Sequence, residues 1–293
     1  MIKEKHDNSN PFPIRELSAR TQVNTVTLRA WERRYGLLKP QRSAKGHRLY
    51  SDQDVATIEK ILSLVARGVP LGKLKPLLDT DISALSEGYE SENWQSSIAE
   101  LLVAIESFSV TKVEYLLQHF FAHYPAPICW ERLMEPVFAA LAQINDNGAT
   151  LGFAENELIR YTLMRLNSKV KHKKQPLSVI LLPGDQTPIW CLALMALELA
   201  DMKFSVHLFT RAFTLAGGIE LAGKFNDAYT VFYQDGTWKT NEQESVAAAL
   251  LENDKLFLCG TAPMLTPFNE DDRVFGDVRS SIDGLLKRAA IQG

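Results

Sequence analysis

The sequence predicts a multidomain protein in which a helical head, a bundle of helices and a parallel α/β unit follow one another along 293 residues. The first observation is charge. Residues 1–79 hold 15 Lys and Arg against 8 Asp and Glu, a net charge of +7, whereas residues 80–293 have a net charge of −10. The second observation is a change of periodicity: after residue 176 the helical spacing of apolar residues is replaced by short apolar strands that alternate with helices. We expect only the basic head to meet nucleic acid.

The composition excludes several classes of protein. The longest uninterrupted apolar run, Ile189–Leu197, is far shorter than the roughly 18 residues that cross a bilayer, and the N-terminus has no signal-peptide core. We therefore expect a cytoplasmic protein with no membrane partner. Cys129, Cys191 and Cys259 lie far apart without a C-x-x-C motif, so the sequence suggests neither a disulfide framework nor a thiolate metal cluster. We expect all three to be small buried residues.

The head begins with two short helices joined by a tight turn. Asn24 is placed to cap the second helix, over residues 25–35, and Gly36 supplies its stop. Segment 37–50 then has two short extended arms around a polar tip, which predicts a hairpin. The pattern is that of a winged helix-turn-helix.

The second helix is predicted to have a packed face and a projecting face. A rotation of about 100° per residue separates its aromatic and apolar stripe, with Trp31 and Tyr35, from Thr25, Arg29 and Arg33. Hydroxyl and guanidinium groups suit a recognition helix in the major groove, and basic groups on the hairpin suit phosphate contacts. The DNA-binding residues predicted from these two elements are Thr25, Thr27, Arg29, Arg33, Arg34, Arg42, Lys45, His47, Arg48 and Tyr50.

The residues of the head carry a family resemblance. The run from Thr27 to Arg42, followed by the run from Gly46 to Val55, resembles the winged-helix head of MerR-type transcriptional regulators. The form Trp31-Glu-Arg-Arg-Tyr-Gly-Leu-Leu is most similar to the MlrA-like branch and its light-responsive, cobalamin-binding relatives. The resemblance covers residues 12–78 and implies sequence-specific binding of duplex DNA at a promoter or operator. It also implies DNA bending, with activation or repression left open, and we expect a homodimer on two half-sites. Glu32 is expected in a salt bridge or in solvent.

The middle of the chain predicts a linker and a four-helix bundle. Residues 80–93 are acidic, rich in serine and without heptads, and no cysteine lies near them. Because short MerR-type sensors follow the head with a coiled-coil helix and a metal or redox loop, the resemblance does not imply direct metal or iron–sulfur sensing. His119 and His123 lie four residues apart, but no carboxylate or cysteine accompanies them on that stretch, so we expect no metal site. The helices predicted to form the bundle, within residues 94–175, are 94–107, 110–123, 127–145 and 153–171.

Residues 176–293 predict a flavodoxin-like, doubly wound α/β domain whose loops at the carboxyl ends of the strands are competent to bind ligands. The predicted strands are 177–183, 204–209, 228–233, 255–259 and a weak fifth near 273–275. The predicted helices are 189–200, 215–226, 242–252 and 277–290.

A bundle followed by such a domain resembles the cobalamin-binding module of the light-responsive relatives. In that family an acidic-x-His-x-x-Gly loop follows the first strand and its imidazole ligates cobalt. Here Asp185 matches the acidic residue, but Thr187 and Trp190 stand at the His and Gly positions, and Asn156-Glu157 stands where the family has Glu-His. Because a hydroxyl is a poor cobalt ligand, we expect no cofactor.

The loops at the carboxyl ends of the strands still form a candidate pocket for a ligand. The alternative is that the Trp190 side chain fills the space that cobalamin occupies in the relatives. The pocket residues are Asp185, Thr187, Trp190, Arg211 and Thr261.

Four hypotheses for function follow from these patterns. The leading one is a DNA-binding transcriptional regulator whose body receives a signal or mediates assembly. The second is a cobalamin- or chromophore-dependent sensor, and the third is an acidic body that acts as a platform for a regulatory protein partner. An enzyme is not expected, with no catalytic residues, because the sequence has no dinucleotide fingerprint, P-loop, Ser/His/Asp set or paired carboxylates.

Overall fold

A computed structural model describes residues 11–78, 92–168, 177–225 and 227–292. The chain forms two compact units, Met1–Ala154 and Glu155–Gly293. Most of the expected linker lies outside the described residues, although residues 92 and 93 already belong to a helix. The division between the units falls inside a helix rather than near residue 175, so the bounds of the three expected domains stay a prediction.

The first unit opens with two helices, a hairpin and a longer helix. The predicted cap is present, because the Asn24 side chain accepts hydrogen bonds from the backbone N–H groups of Val26 and Thr27. Gly36 ends the second helix in the left-handed region, at φ 62°. The elements are α1 Ile14–Thr21, α2 Thr25–Ala30, a π-helical turn Trp31–Tyr35, β1 Gln41–Arg42, β2 Arg48–Leu49 and α3 Asp52–Ala66. Two 3₁₀ turns follow, Leu71–Lys73 and Lys75–Leu77.

The remaining helices of this unit follow the apolar periodicity of the sequence. Helix α4 packs against α5 and against α7. The third predicted helix is interrupted by a π turn just before Pro136, a residue that has no N–H to continue the helical bonding. It ends at Leu141, earlier than expected. The elements are α4 Glu92–Glu106, α5 Val110–His123, α6 Ala126–Cys129, the π turn Trp130–Met134, α7 Glu135–Leu141 and α8 Ala149–Ser168. Helix α8 crosses the division between the units, and the four-helix bundle stays a prediction.

The second unit contains a five-stranded, fully parallel sheet in the order β4-β3-β5-β6-β7. This parallel α/β fold confirms the sequence prediction, including the brief fifth strand. The strands are β3 Ser178–Pro183, β4 Ser205–Leu208, β5 Tyr229–Tyr233, β6 Leu256–Cys259 and β7 Val274–Phe275. The helices are α9 Ile189–Asp201, α10 Leu215–Ala222, α11 Thr240–Glu252, α12 Thr261–Met264 and α13 Val278–Gln292.

The apolar runs of the second unit form its core. The sequence from Val179 to Leu182 is fully buried in the inner strand β3, between β4 and β5, and α9 is buried from Cys191 to Ala200. An inner parallel strand is covered on both faces, which explains why the apolar run of β3 is continuous rather than alternating. Among the described helices, none combines the length and the apolar character needed to cross a bilayer.

Candidate nucleic-acid interface

Two arginines project from the second helix of the first unit. Arg29 lies on α2 and Arg33 lies one turn later in the π turn, and both side chains are exposed. Thr25, the first residue of α2, is half-buried. Leu28 and Trp31 are completely buried on other faces of the helix. The helix therefore separates a packed side from a side that presents guanidinium groups, as its periodicity predicted.

The hairpin presents a second basic surface. Strands β1 and β2 pair antiparallel with Arg42 opposite Arg48, and the Ser43 N–H donates to the His47 carbonyl at 2.9 Å to close the turn. Arg42, Lys45 and His47 are all exposed around this tip. Short, polar and rich in donors, the hairpin can contact phosphate groups without a shaped pocket.

An ion pair joins the hairpin to the helix. The Arg48 Nε group donates to both carboxylate oxygens of Glu32, at 2.7 and 3.0 Å. Hydrogen bonding to Glu32 raises the pKa of Arg48. Because the Arg48 side chain is 30% exposed and that of Glu32 15%, the pair is shielded but still reachable by solvent. Arg48 therefore orients the hairpin against the π turn, and Glu32 occupies the salt bridge that the sequence predicted as one of its two roles.

Two of the predicted DNA contacts are buried, which corrects the expectation for them in this conformation. Thr27 is 0% exposed, because it lies on the same helical stripe as Trp31 and its hydroxyl donates to the Ala122 carbonyl at 3.5 Å. Tyr50 is 1% exposed, because backbone pairing with Phe12 turns its side chain into the core. Burial raises the pKa of Tyr50. Neither side chain is placed to touch a duplex.

Arg34 is exposed, but its guanidinium group already has a partner. Its Nη1 donates to Nε2 of His123 at 2.5 Å, and the Trp31 indole donates to the His123 carbonyl at 2.8 Å. The sequence offered His123 only as a weak metal candidate beside His119. The structure instead uses both ring nitrogens in hydrogen bonds, because Nδ1 donates to the His119 carbonyl at 2.6 Å. No short-range pattern in the sequence signals this contact.

The candidate ligand pocket of the second unit lies at the carboxyl ends of its strands. Two of its predicted members hold neighbouring loops together. The Thr187 hydroxyl donates to the Tyr233 carbonyl at 2.6 Å, and the Thr261 N–H donates to the Asp235 carboxylate at 2.9 Å. The Thr261 hydroxyl in turn accepts from the Gly236 N–H at 2.9 Å. The hydroxyl groups of Thr187 and Thr261 are therefore both hydrogen-bonded to backbone groups.

The other three predicted pocket residues lie in the segments that follow β3 and β4. Trp190 is half-buried in the first turn of α9, and Asp185 and Arg211 are exposed. The backbone of Trp190 hydrogen-bonds to the Glu155 carboxylate. This bond lowers the pKa of Glu155 and so opposes the larger rise caused by burial.

The residues at this edge do not fit a cobalamin whose cobalt is held by a protein imidazole. Thr187 stands at the position of the ligand, and its hydroxyl is hydrogen-bonded to the sheet. Gly260, which directly follows strand β6 at the same edge, has φ 105°, and a Cβ there would collide with the backbone of Gln234. Packing between two loops therefore accounts for that glycine without a cofactor.

Comparisons with known proteins give one family model and several relatives. A model of the MerR HTH family of regulatory proteins matches residues 12–81. The HTH-type transcriptional regulator MlrA of Salmonella typhimurium is 34% identical over 181 residues, which are 61% of this chain and 72% of that protein. MlrA of Escherichia coli is 33% identical with the same coverage.

Two further similarities are more distant. The HTH-type transcriptional repressor CarH of Myxococcus xanthus is 29% identical over 148 residues, which are 47% of this chain and 48% of that protein. A monomethylamine corrinoid protein of Methanosarcina barkeri matches in structure with a TM-score of 0.41 and 12% identity, over 65% of this chain and 98% of that chain.

Proposed function

Because the chain belongs to the MerR family of HTH-type transcriptional regulators, alongside MlrA, we propose that it reads duplex DNA through Arg29 and Arg33 of the second helix and through the hairpin. The observation that carries this proposal is the exposure of both guanidinium groups on the side of the helix that the core leaves open. The hairpin acts as a wing, with Arg42, Lys45 and His47 at phosphate groups beside the groove.

We propose that DNA binding requires two copies of the chain. Distorting a site of 20–30 base pairs costs on the order of 1–6 kcal/mol, which must be offset by additional protein–DNA contacts. One head offers a short helix and a two-stranded wing, whereas a homodimer doubles these contacts and reads two half-sites. The predicted consequence is an operator with two related halves and a steep dependence of affinity on salt.

For the acidic body, we propose signal reception or assembly rather than catalysis. Its strand-end loops are joined by hydrogen bonds through Thr187 and Thr261, which favours a fixed surface over an open cobalt site. A chromophore-dependent sensor remains the alternative for this body, and adenosylcobalamin provides its test. An unchanged visible spectrum after mixing contradicts the sensor, and capture of a regulatory protein supports the platform.

The DNA-binding proposal is tested with the full chain and a random-sequence duplex library. Selection gives a preferred duplex, and footprinting then gives its half-site spacing. Arg29→Ala and Arg33→Ala are each expected to raise the Kd for that duplex about 5- to 150-fold, because one arginine contact to a base contributes about 1–3 kcal/mol. Lys224→Ala is the matched control, since it also removes one exposed positive charge but lies in the second unit. A Kd that is unchanged in both arginine variants contradicts the proposal.

A further inference from the structure

The rear of the second helix lies against the C-terminal end of α5. Helices α2 and α5 pack together, and three side chains cross between them. The Trp31 indole donates to the His123 carbonyl, the Arg34 guanidinium donates to the His123 ring, and the Thr27 hydroxyl donates to the Ala122 carbonyl. The Tyr35 ring meets the His123 ring edge-on, with centroids 6.0 Å apart. The last turn of α5 therefore contacts the side of the second helix that carries Thr27, Trp31 and Arg34.

The contact gives hydrogen-bond partners to the carbonyl and to the ring of His123 at the end of α5. His123 is the last residue of α5, so its carbonyl has no partner within the helix, and the Trp31 N–H supplies one. The His123 side chain is 3% exposed and uses both ring nitrogens, Nδ1 as donor to His119 and Nε2 as acceptor from Arg34. This pattern requires the neutral ring with its proton on Nδ1. The ring is therefore fixed in position, in tautomer and in orientation.

The docked face and the DNA-reading face are different sides of one helix. Thr27, Trp31 and Arg34 follow the spacing i, i+4, i+7 and share a stripe. Arg29 and Arg33 lie on the other side and stay exposed. Docking on α5 thus holds the helix from behind while its guanidinium groups remain available in front.

We propose that His123 is a positioning residue for the DNA-reading helix, and that Arg34 and Thr27 serve this contact rather than DNA. The inference rests on the proposed function. The first unit therefore reads DNA as one body, in which α5 belongs to the reading apparatus although it lies outside residues 12–81. A conformation in which α2 leaves α5 binds DNA more weakly, so the population of the docked state sets the apparent affinity.

The test is a double-mutant cycle between Arg34 and His123 in the full chain, read on the selected duplex. Arg34→Ala removes the donor, and His123→Phe keeps a ring of similar size without the acceptor. Each variant is expected to raise the Kd about tenfold, or about 1.4 kcal/mol. The double variant is also expected to show about tenfold, because both changes break the same contact. His123→Gln restores an acceptor at the position of Nε2 and is expected to bind nearly as tightly as the native chain.

Salt dependence separates docking from direct contact. A lost phosphate contact reduces the slope of log K against log salt by about one, whereas lost docking leaves the slope unchanged. If Arg34→Ala reduces the salt slope while His123→Phe leaves the Kd unchanged, Arg34 contacts DNA directly and the inference is overturned. Additive effects of about a hundredfold in the double variant also overturn it. A lower thermal midpoint with an unchanged Kd assigns His123 a purely structural role and overturns it as well.

Hydrogen exchange of the α2 amides in DNA-free protein keeps the two proposals separate. If the native chain binds no duplex, the proposed function fails, and the cycle is then read from amide protection alone. Non-additive loss of α2 protection in Arg34→Ala and His123→Phe, with recovery in His123→Gln, supports docking independently of DNA. Native protection in all variants refutes it.

Discussion

A buried carboxylate in the second unit makes the stability of that unit depend on pH. Glu198 lies on α9 and is 5% exposed, and the Arg279 guanidinium donates to its Oε2 at 3.5 Å. Burial raises the pKa of Glu198 from 4.5 to about 6. The Arg279 charge opposes this rise, and the Asp283 and Asp201 carboxylates add to it. The perturbation is Glu198→Gln, which keeps the shape of the side chain and never ionises.

The size of the effect follows from the two pKa values. A tenfold change in proton affinity corresponds to about 1.4 kcal/mol, so the difference between 4.5 and about 6 corresponds to about 2 kcal/mol. Below the lower value Glu198 is protonated in both states and contributes nothing. Above the higher value it is ionised in both states, and the native state bears the cost of the buried charge. The free energy of unfolding therefore falls by about 2 kcal/mol as the pH rises through this range.

Hydrogen exchange of the slowest α9 amides measures this difference at one pH at a time. At about pH 8, Glu198→Gln is expected to show about 30-fold greater protection than the native chain, and at about pH 4 the two are expected to agree. Glu220→Gln is the control, because that carboxylate is exposed on α10 and is expected to change protection at neither pH. Reduced protection of Glu198→Gln at the higher pH would refute the reasoning, since the Arg279 pair would then outweigh burial.

Two further predictions concern packing and capping. Gly218→Ala is expected to lower the free energy of unfolding by about 1–3 kcal/mol in urea titrations, because its Cβ would collide with the Phe232 ring. Gly223→Ala is the control and is expected to be neutral or slightly stabilising, since its Cβ meets only ordinary contacts. Asn24→Ala is expected to cost about 0.5–2 kcal/mol by the same assay, because two N–H groups lose their acceptor. Asn24→Asp retains an acceptor. If it lowered the free energy of unfolding as much as Asn24→Ala, the role of Asn24 as a helix cap would be contradicted.

Local features were predictable from sequence wherever one short segment decides them. The Asn24 cap depends on groups two and three residues away, and the Gly36 stop depends on the conformation of a single residue. The parallel sheet was predictable because strands buried on both faces are continuously apolar. The exposed arginines follow from the same helical periodicity that buries Leu28 and Trp31.

The parts of the site that the sequence missed depend on distant partners. Thr27 shares a helical stripe with Trp31, but its hydrogen bond to Ala122, 95 residues further along the chain, has no signal in the sequence. Tyr50 ends the hairpin with a phenol, and only its pairing with Phe12 turns that ring inward. His123 had no pattern of its own, because its role depends on the Arg34 side chain reaching it from another helix. Periodicity identifies a face but not what covers it.

The three buried cysteines give this chain built-in reporters of local opening. Cys129 lies in the first unit, and Cys191 and Cys259 lie in the second. Burial raises the pKa of Cys259 to about 12, so its thiol stays protonated and unreactive until the surrounding structure opens. A thiol-specific reagent followed by peptide mass analysis would thus time the opening of each unit separately in the unaltered chain, with and without DNA. If added duplex slowed the labelling of Cys129 but not that of Cys191 or Cys259, DNA would stabilise the first unit against opening and leave the second unit unchanged.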